Sequence, residues 1–198
     1  MMRIASLLAV GLMLMGCVRS LEPVIKPEQA VKVPEVEGKW ISAKGDKQSL
    51  EVSASDDGYK VVFVNEKSEP GTFSVRFGRV GDMLIADVMP AEPSENSGTQ
   101  VALMIPVHMA IRVTKTAPQL AVKVMKPDWF KENLAAHPDE IATVKSEHDP
   151  IISASTEQIQ AFLIKHAGDE GAWTEETVYV RDSAPSTNPT TQKAAAGQ

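Results

Sequence analysis

Cysteine is almost absent from this chain: there is one, Cys17, in 198 residues. An internal disulfide, a thiolate zinc cluster and a Cys-based redox pair are therefore excluded, and the folded body must be held by its apolar core. Aromatic residues are also scarce, at 5%, which is thin for a cavity lined with rings. Positive charge is in deficit. With 20 Lys and Arg against 26 Asp and Glu, and a formal net charge of −6, the chain does not seek nucleic acid by bulk electrostatics. The motifs of common chemistries are missing as well. There is no phosphate-cradling P-loop, no dinucleotide glycine fingerprint, no HExxH and no GxSxG elbow to present a nucleophilic serine. The adjacent acids Asp56-Asp57 and Glu175-Glu176 fall in a hairpin turn and beside a strand, where a carboxylate is too well solvated for acid–base work. The reading is a protein that is not an enzyme and needs no cofactor.

Long apolar runs are lacking too, with one short exception at the start. Met1 to Arg3 carries positive charge and is followed by the apolar stretch Ile4 to Gly16. A membrane-spanning helix needs about 20 such residues, so the stretch reads as a cleaved secretory signal, residues 1–16. It ends in Leu14-Met15-Gly16-Cys17, which resembles the lipobox of bacterial lipoproteins. That resemblance implies a diacylglyceryl thioether on Cys17, cleavage before it, and anchoring of the mature chain to a membrane. Val18, where inner-membrane lipoproteins tend to carry aspartate, implies the outer membrane and its periplasmic face.

Residues 17–35 follow, with Pro23, Pro27 and Pro34 among charged and small residues, and read as a tether. Residues 36–182 have the size of one domain with its own core. Residues 183–198 are mostly Ser, Pro, Thr, Ala and Gly, and read as a disordered tail. Within the domain, Leu50, Val52 and Ala54 alternate with polar neighbours, and Asp56-Asp57-Gly58 supplies the turn into Tyr59 to Val64. Turns at Pro70-Gly71 and Gly81-Asp82 separate the next strands, Phe73 to Phe77 and Met83 to Met89. After a loop from Pro90 to Thr99, apolar residues occupy every odd position from Val101 to Val113, with Pro106 marking a bulge, bend or edge. Leu120, Val122 and Val124 continue the pattern beyond Ala117-Pro118.

The fold class predicted is mainly β (α+β). It is an antiparallel meander of seven or eight strands, curled or closed on itself to hide its edges, with one or two C-terminal helices packed on it. The first helix opens at Lys126-Pro127-Asp128, with Asp128 as cap. The second is capped by Ser155, with Gln158 completing a capping box. Ile159, Phe162, Leu163 and His166 form an i, i+3, i+4, i+7 stripe, and Gly168 ends it. Trp173 to Val180 offers a last strand.

Gly38-Lys39-Trp40 at the start of the first strand, with a meander and a helix after it, resembles lipocalin-like barrels. The resemblance implies that Trp40 plugs the closed end and that the open mouth takes a small hydrophobic molecule. A metal reading attaches to His137, Asp139 and Glu140 with Glu147, His148 and Asp149, which a folded-back loop brings together. Its weak candidate ligands are His137, Asp139 and His148, and the plainer reading is a solvated acidic connector. His108 and His166 are expected at the surface, and Met104, Met109 and Met125 in the core. Two functions fit: an accessory or adaptor lipoprotein meeting an envelope protein through its surface, or a carrier of a lipid or other hydrophobic molecule. The first is preferred because small tethered domains commonly act that way.

Overall fold

Turn chemistry sets the hairpins. The computed structural model describes residues 17–91, 106–146 and 149–182. In chain order these form β1 (Arg19–Ser20), β2 (Ala30–Val31), β3 (Gly38–Ser42), β4 (Ser49–Ser55), β5 (Gly58–Val64), β6 (Pro70–Val80) and β7 (Met83–Pro90). Then come β8 (His108–Lys115), β9 (Gln119–Val124), α1 (Pro127–Ala136), β10 (Thr143–Val144), β11 (Ile151–Ile152), α2 (Thr156–Lys165) and β12 (Thr177–Arg181). Asp56-Asp57 joins β4 to β5, and Gly58 adopts φ +143° where a Cβ would lie 2.5 Å from the Val75 carbonyl oxygen. No other residue fits there.

From β3 to β9 every strand pairs antiparallel with the next, and β12 pairs antiparallel with both β9 and β3. The meander thus closes into an eight-stranded barrel, with α1 and α2 inserted between β9 and the closing strand. Closure removes the free edges that an open sheet of this length would expose.

The barrel wall has a core on each side. Inside lie Trp40, Val52, Tyr59, Val75, Phe77 and Leu84 with their neighbours. Outside, Val80, Met83, Ile85 and Met125 pack under Phe130, Ile159, Phe162, Leu163 and Trp173. β7 serves both cores, so Met83, Leu84, Ile85, Ala86 and Asp87 are all buried in succession. The helices are held by the outer core. α2 has 10 residues, too few to persist alone in water. Its capping box, with Ser155 Oγ accepting from Gln158 N and Gln158 Oε1 from Ser155 N, contributes about 1 kcal/mol. Burial of Ile159, Phe162 and Leu163 contributes about 1.5–3 kcal/mol each, and therefore decides.

The segment expected as a tether is part of the fold. β1 pairs with β8 and β11, β2 pairs with β6, and Val24 and Ile25 are 1% and 0% exposed. Ile25 seats on Gly78, where a Cβ would come within 2.6 Å of it. Prolines misled the reading, since Pro27 and Pro34 start short 3₁₀ turns that steer the chain along the barrel. Other details also shift. The turn placed at Pro70-Gly71 lies at residues 65–69, where Asn65 Oδ1 accepts from Lys67 N and Glu69 N. The N-cap of α1 is Lys126, with Pro127 first in the helix, rather than Asp128. α2 ends at Lys165, before Gly168. Residues 1–16, the odd-position residues Val101, Leu103 and Ile105, Met104 and the tail 183–198 lie outside the described residues.

Candidate functional site

Strand direction distinguishes the two ends of the barrel. One rim gathers Gly38, Ser55, Gly58, Val80, Met83, Lys115, Gln119 and Arg181, the strand ends nearest Trp40. Residues 32–37 fold beneath this rim and seal it. Trp40, wholly buried, donates Nε1–H to the Val36 carbonyl at 2.7 Å, and the Arg181 guanidinium lies 4.2 Å from its ring centroid. Arg181 in turn donates to the Glu35 carbonyl at 2.8 Å and to that of Glu37. Val33 N–H donates to Tyr59 Oη at 2.7 Å, and Tyr59 meets Phe77 edge-on at 5.1 Å between centroids. Trp40 therefore sits in a plug that includes Val33, a residue of the supposed tether, and Val36, the first residue after it.

Toward the other rim the inward side chains are apolar and half-buried: Leu50, Val61, Phe73, Val88, Ile111 and Val122 rest on the filled lower core. Tyr179 and Gln48 stand near this end, joined by a hydroxyl-to-amide hydrogen bond at 3.2 Å. Burial and the charge of Asp46 push the Tyr179 hydroxyl up to about 12. Two further hollows lie outside the lumen. A hollow of about 20 Å³ lies between Ala110, Ile152, Ile159 and Phe162, and a groove of about 260 Å³ runs beside Val31, Lys32, Gly58 and Arg76.

Two buried polar clusters escaped the sequence reading. Asp87, on the outer face of β7, accepts from Val24 N–H at 3.0 Å and Ile25 N–H at 3.1 Å, and its other oxygen is 2.9 Å from His108 Nδ1. His108 is thus buried and partnered rather than superficial. The signal was present: Met83-Leu84-Ile85-Ala86 is apolar at both parities, which marks a strand buried on both faces and makes the next residue, Asp87, buried too. Glu140 is the second centre. It accepts from Asn133 at 2.5 Å and Lys165 at 2.5 Å, and lies 2.9 Å from His166 Nε2. His166 is correspondingly buried, between Trp129 and Phe162, with ring centroids 4.8 and 4.7 Å away. Burial of the Glu140 carboxyl alone would raise its pKa. The donors from Lys165, Asn133 and His166 outweigh that and hold it at about 2.

In both clusters the carboxylate bonds to the imidazole and to donors from other segments, an arrangement that orients and clamps the elements it joins. The expected metal loop is distributed differently. His137 and Asp139 are exposed, Glu140 turns to α2, Asp149 pairs with Lys131 at 2.5 Å, and Glu147 and His148 lie outside the described residues. Among the described residues no three His, Cys, Asp or Glu are grouped to hold a metal ion. Cys17 is half-buried just before β1, and burial raises its thiol pKa against the opposing charge of Arg19. Among the described residues no helix is long and apolar enough to cross a membrane.

Comparison with known protein families, with curated proteins and with solved structures returned no match for this chain.

Proposed function

We propose that this chain is an envelope lipoprotein, anchored through lipid on Cys17 at the periplasmic face of the outer membrane, that works without catalysis through the open end of its barrel. Its ligand is a small hydrophobic molecule or single acyl chain. The observation that supports this is the asymmetry of the lumen: Trp40, Val33 and Val36 seal one end, while Leu50, Phe73, Val88 and Ile111 leave apolar surface half-buried at the other. Eight-stranded barrels have an interior just wide enough for side chains or for one small ligand. Here the lower half is filled, which restricts a ligand to the upper half.

The test is native mass spectrometry of a Cys17→Ser form exported to the periplasm, together with titration of a fluorescent fatty acid. A bound mass of a few hundred daltons and saturable fluorescence, both lost in a rim-filling Ile111→Trp variant that melts normally, support the carrier. A bare protein with no saturable binding rejects it.

That second outcome would favour the adaptor reading, in which the barrel is a filled scaffold meeting an envelope protein. The observation on its side is the continuous packing of Trp40, Tyr59, Val75 and Phe77 across the lower lumen.

A further inference from the structure

The small sheet β8–β1–β11–β10 flares away from the barrel where β9 leaves β8, and its two faces differ. On one face His108, Ser20 and Ile152 lie buried against the helical core. On the other, Met109, Arg19, Ile151 and Val144 form one cross-strand row by register. The first three are half-exposed, and Val144 is 42% exposed. The row begins at the lumen, because Met109 pairs with Val88 on β7, whose side chain lies against the inner core. It is the barrel's inner surface carried outward past the rim.

Cys17 lies beside this face. Ser20 is buried on the helical side of β1, so Arg19 points the other way, and Cys17 precedes the strand by a single residue, Val18. The chain beyond is fixed at once. Ser20 and Leu21 are bonded into the sheet, Pro23 and Val24 carbonyls accept from Thr156 Oγ1 at 2.6 Å and Gln160 Nε2 at 2.8 Å, and Asp87 holds Val24 and Ile25. A lipid on Cys17 therefore cannot be separated from this face by more than about two residues, or roughly 7 Å.

Resting on the lipid-anchor reading above, we propose that the Met109–Arg19–Ile151–Val144 face is a membrane-contact surface. It lies on the headgroups beside the anchored cysteine, with the barrel mouth opening at the bilayer. The chemistry fits a lipid surface: three apolar side chains enter the interface, and the Arg19 guanidinium binds phosphate. The opposite wall faces away, since β4 stands four strands from β8 around the ring in either direction.

The test uses the full chain made with its own leader in a Gram-negative host and reconstituted into vesicles of phosphatidylethanolamine and phosphatidylglycerol. Intact mass first establishes whether Cys17 carries diacylglycerol. With that sulfur occupied, Val144→Cys or Ser53→Cys provides one thiol for an environment-sensitive dye, Ser53 being exposed on β4. The expected result is quenching by bromine-labelled acyl chains of about half the Val144 signal, as for a group a few ångströms into the interface, and none at Ser53. Arg19→Glu should weaken the Val144 quenching. Lipid on Cys17 with an unquenched Val144 dye, or with equal quenching at Ser53, overturns the membrane-contact face and leaves the anchor intact. An unmodified Cys17 overturns both.

Discussion

Asp87 on β7 and His108 on β8 meet on the outer wall of the barrel, Oδ1 to Nδ1 at 2.9 Å, while the second carboxylate oxygen holds the backbone of Val24 and Ile25. One side chain thus fastens the leading segment to the barrel. Asp87→Ala leaves two buried N–H groups without an acceptor, and the expected loss is about 3 kcal/mol. His108→Ala should lose about 1 kcal/mol, since the backbone donors keep their partner. Urea unfolding gives the size. Amide exchange at Val24 and Ile25 gives the location, accelerating in Asp87→Ala before the barrel amides do.

Gly78 tests the same attachment by packing. A methyl group there meets Ile25 at 2.6 Å, and Ile25 is fully buried. Gly78→Ala is expected to destabilise by about 1–3 kcal/mol, with Ile25→Val in the same chain recovering part of it. Equal melting temperatures for Gly78→Ala and the parent would disprove the close approach.

Glu140 makes stability fall in acid. Its folded pKa of about 2 lies below the ordinary glutamate value of 4.5, so the unfolded chain takes up the proton first. The contribution is complete above about pH 5 and drains away as pH falls toward 2. Because Lys165 is largely exposed, at 62% of its side chain, the pair is screened and the expected loss is about 1–2 kcal/mol. Glu140→Gln should remove this component of the pH dependence, as read from denaturation midpoints between pH 6 and pH 3.

Tyr179 does the converse at the basic end. Its hydroxyl, pushed up to about 12 by burial and by Asp46, ionises in the unfolded chain before the folded one. Stability present below about pH 10 is therefore lost as pH rises through 12. Absorbance titration of Tyr179→Phe, set against the parent, identifies the late phase. An unchanged titration above pH 11 would show the site to be open.

Trp40→Ala should cost about 3–5 kcal/mol, as for other large buried rings, and should expose the Val36 carbonyl to which its Nε1–H is bonded. Trp40→Phe keeps most of the volume and loses the hydrogen bond, so it should cost much less. If the two variants melt together, the plug is held by the bond rather than by the ring.

Much of the barrel was legible because its signals are local. Period-two runs such as Leu50, Val52 and Ala54, and the Asp56-Asp57-Gly58 turn, depend on near neighbours only. Ser155 and Gln158 likewise announced α2 through three residues. What could not be read rests on long-range placement. Val24 and Ile25 sit among prolines and charges with no periodicity of their own, and only Gly78 and Asp87, more than fifty positions away, make them core. Glu140 and His166 are similar: two solvent-loving residues become buried because α2 returns over the loop after α1. Trp40 is buried by residues its own strand does not announce: Val33 comes from the segment read as a spacer and Val36 from its boundary with the domain.

The ring is completed by β12, which slots between β9 and β3 using residues 177–181. During synthesis the first seven strands of the barrel exist before the one that joins their two ends. The nascent chain therefore carries two unpaired strand edges, on β3 and β9, until β12 has emerged. A truncation before Thr177 would leave them open for good, turning a closed ring into a template for edge-to-edge assembly.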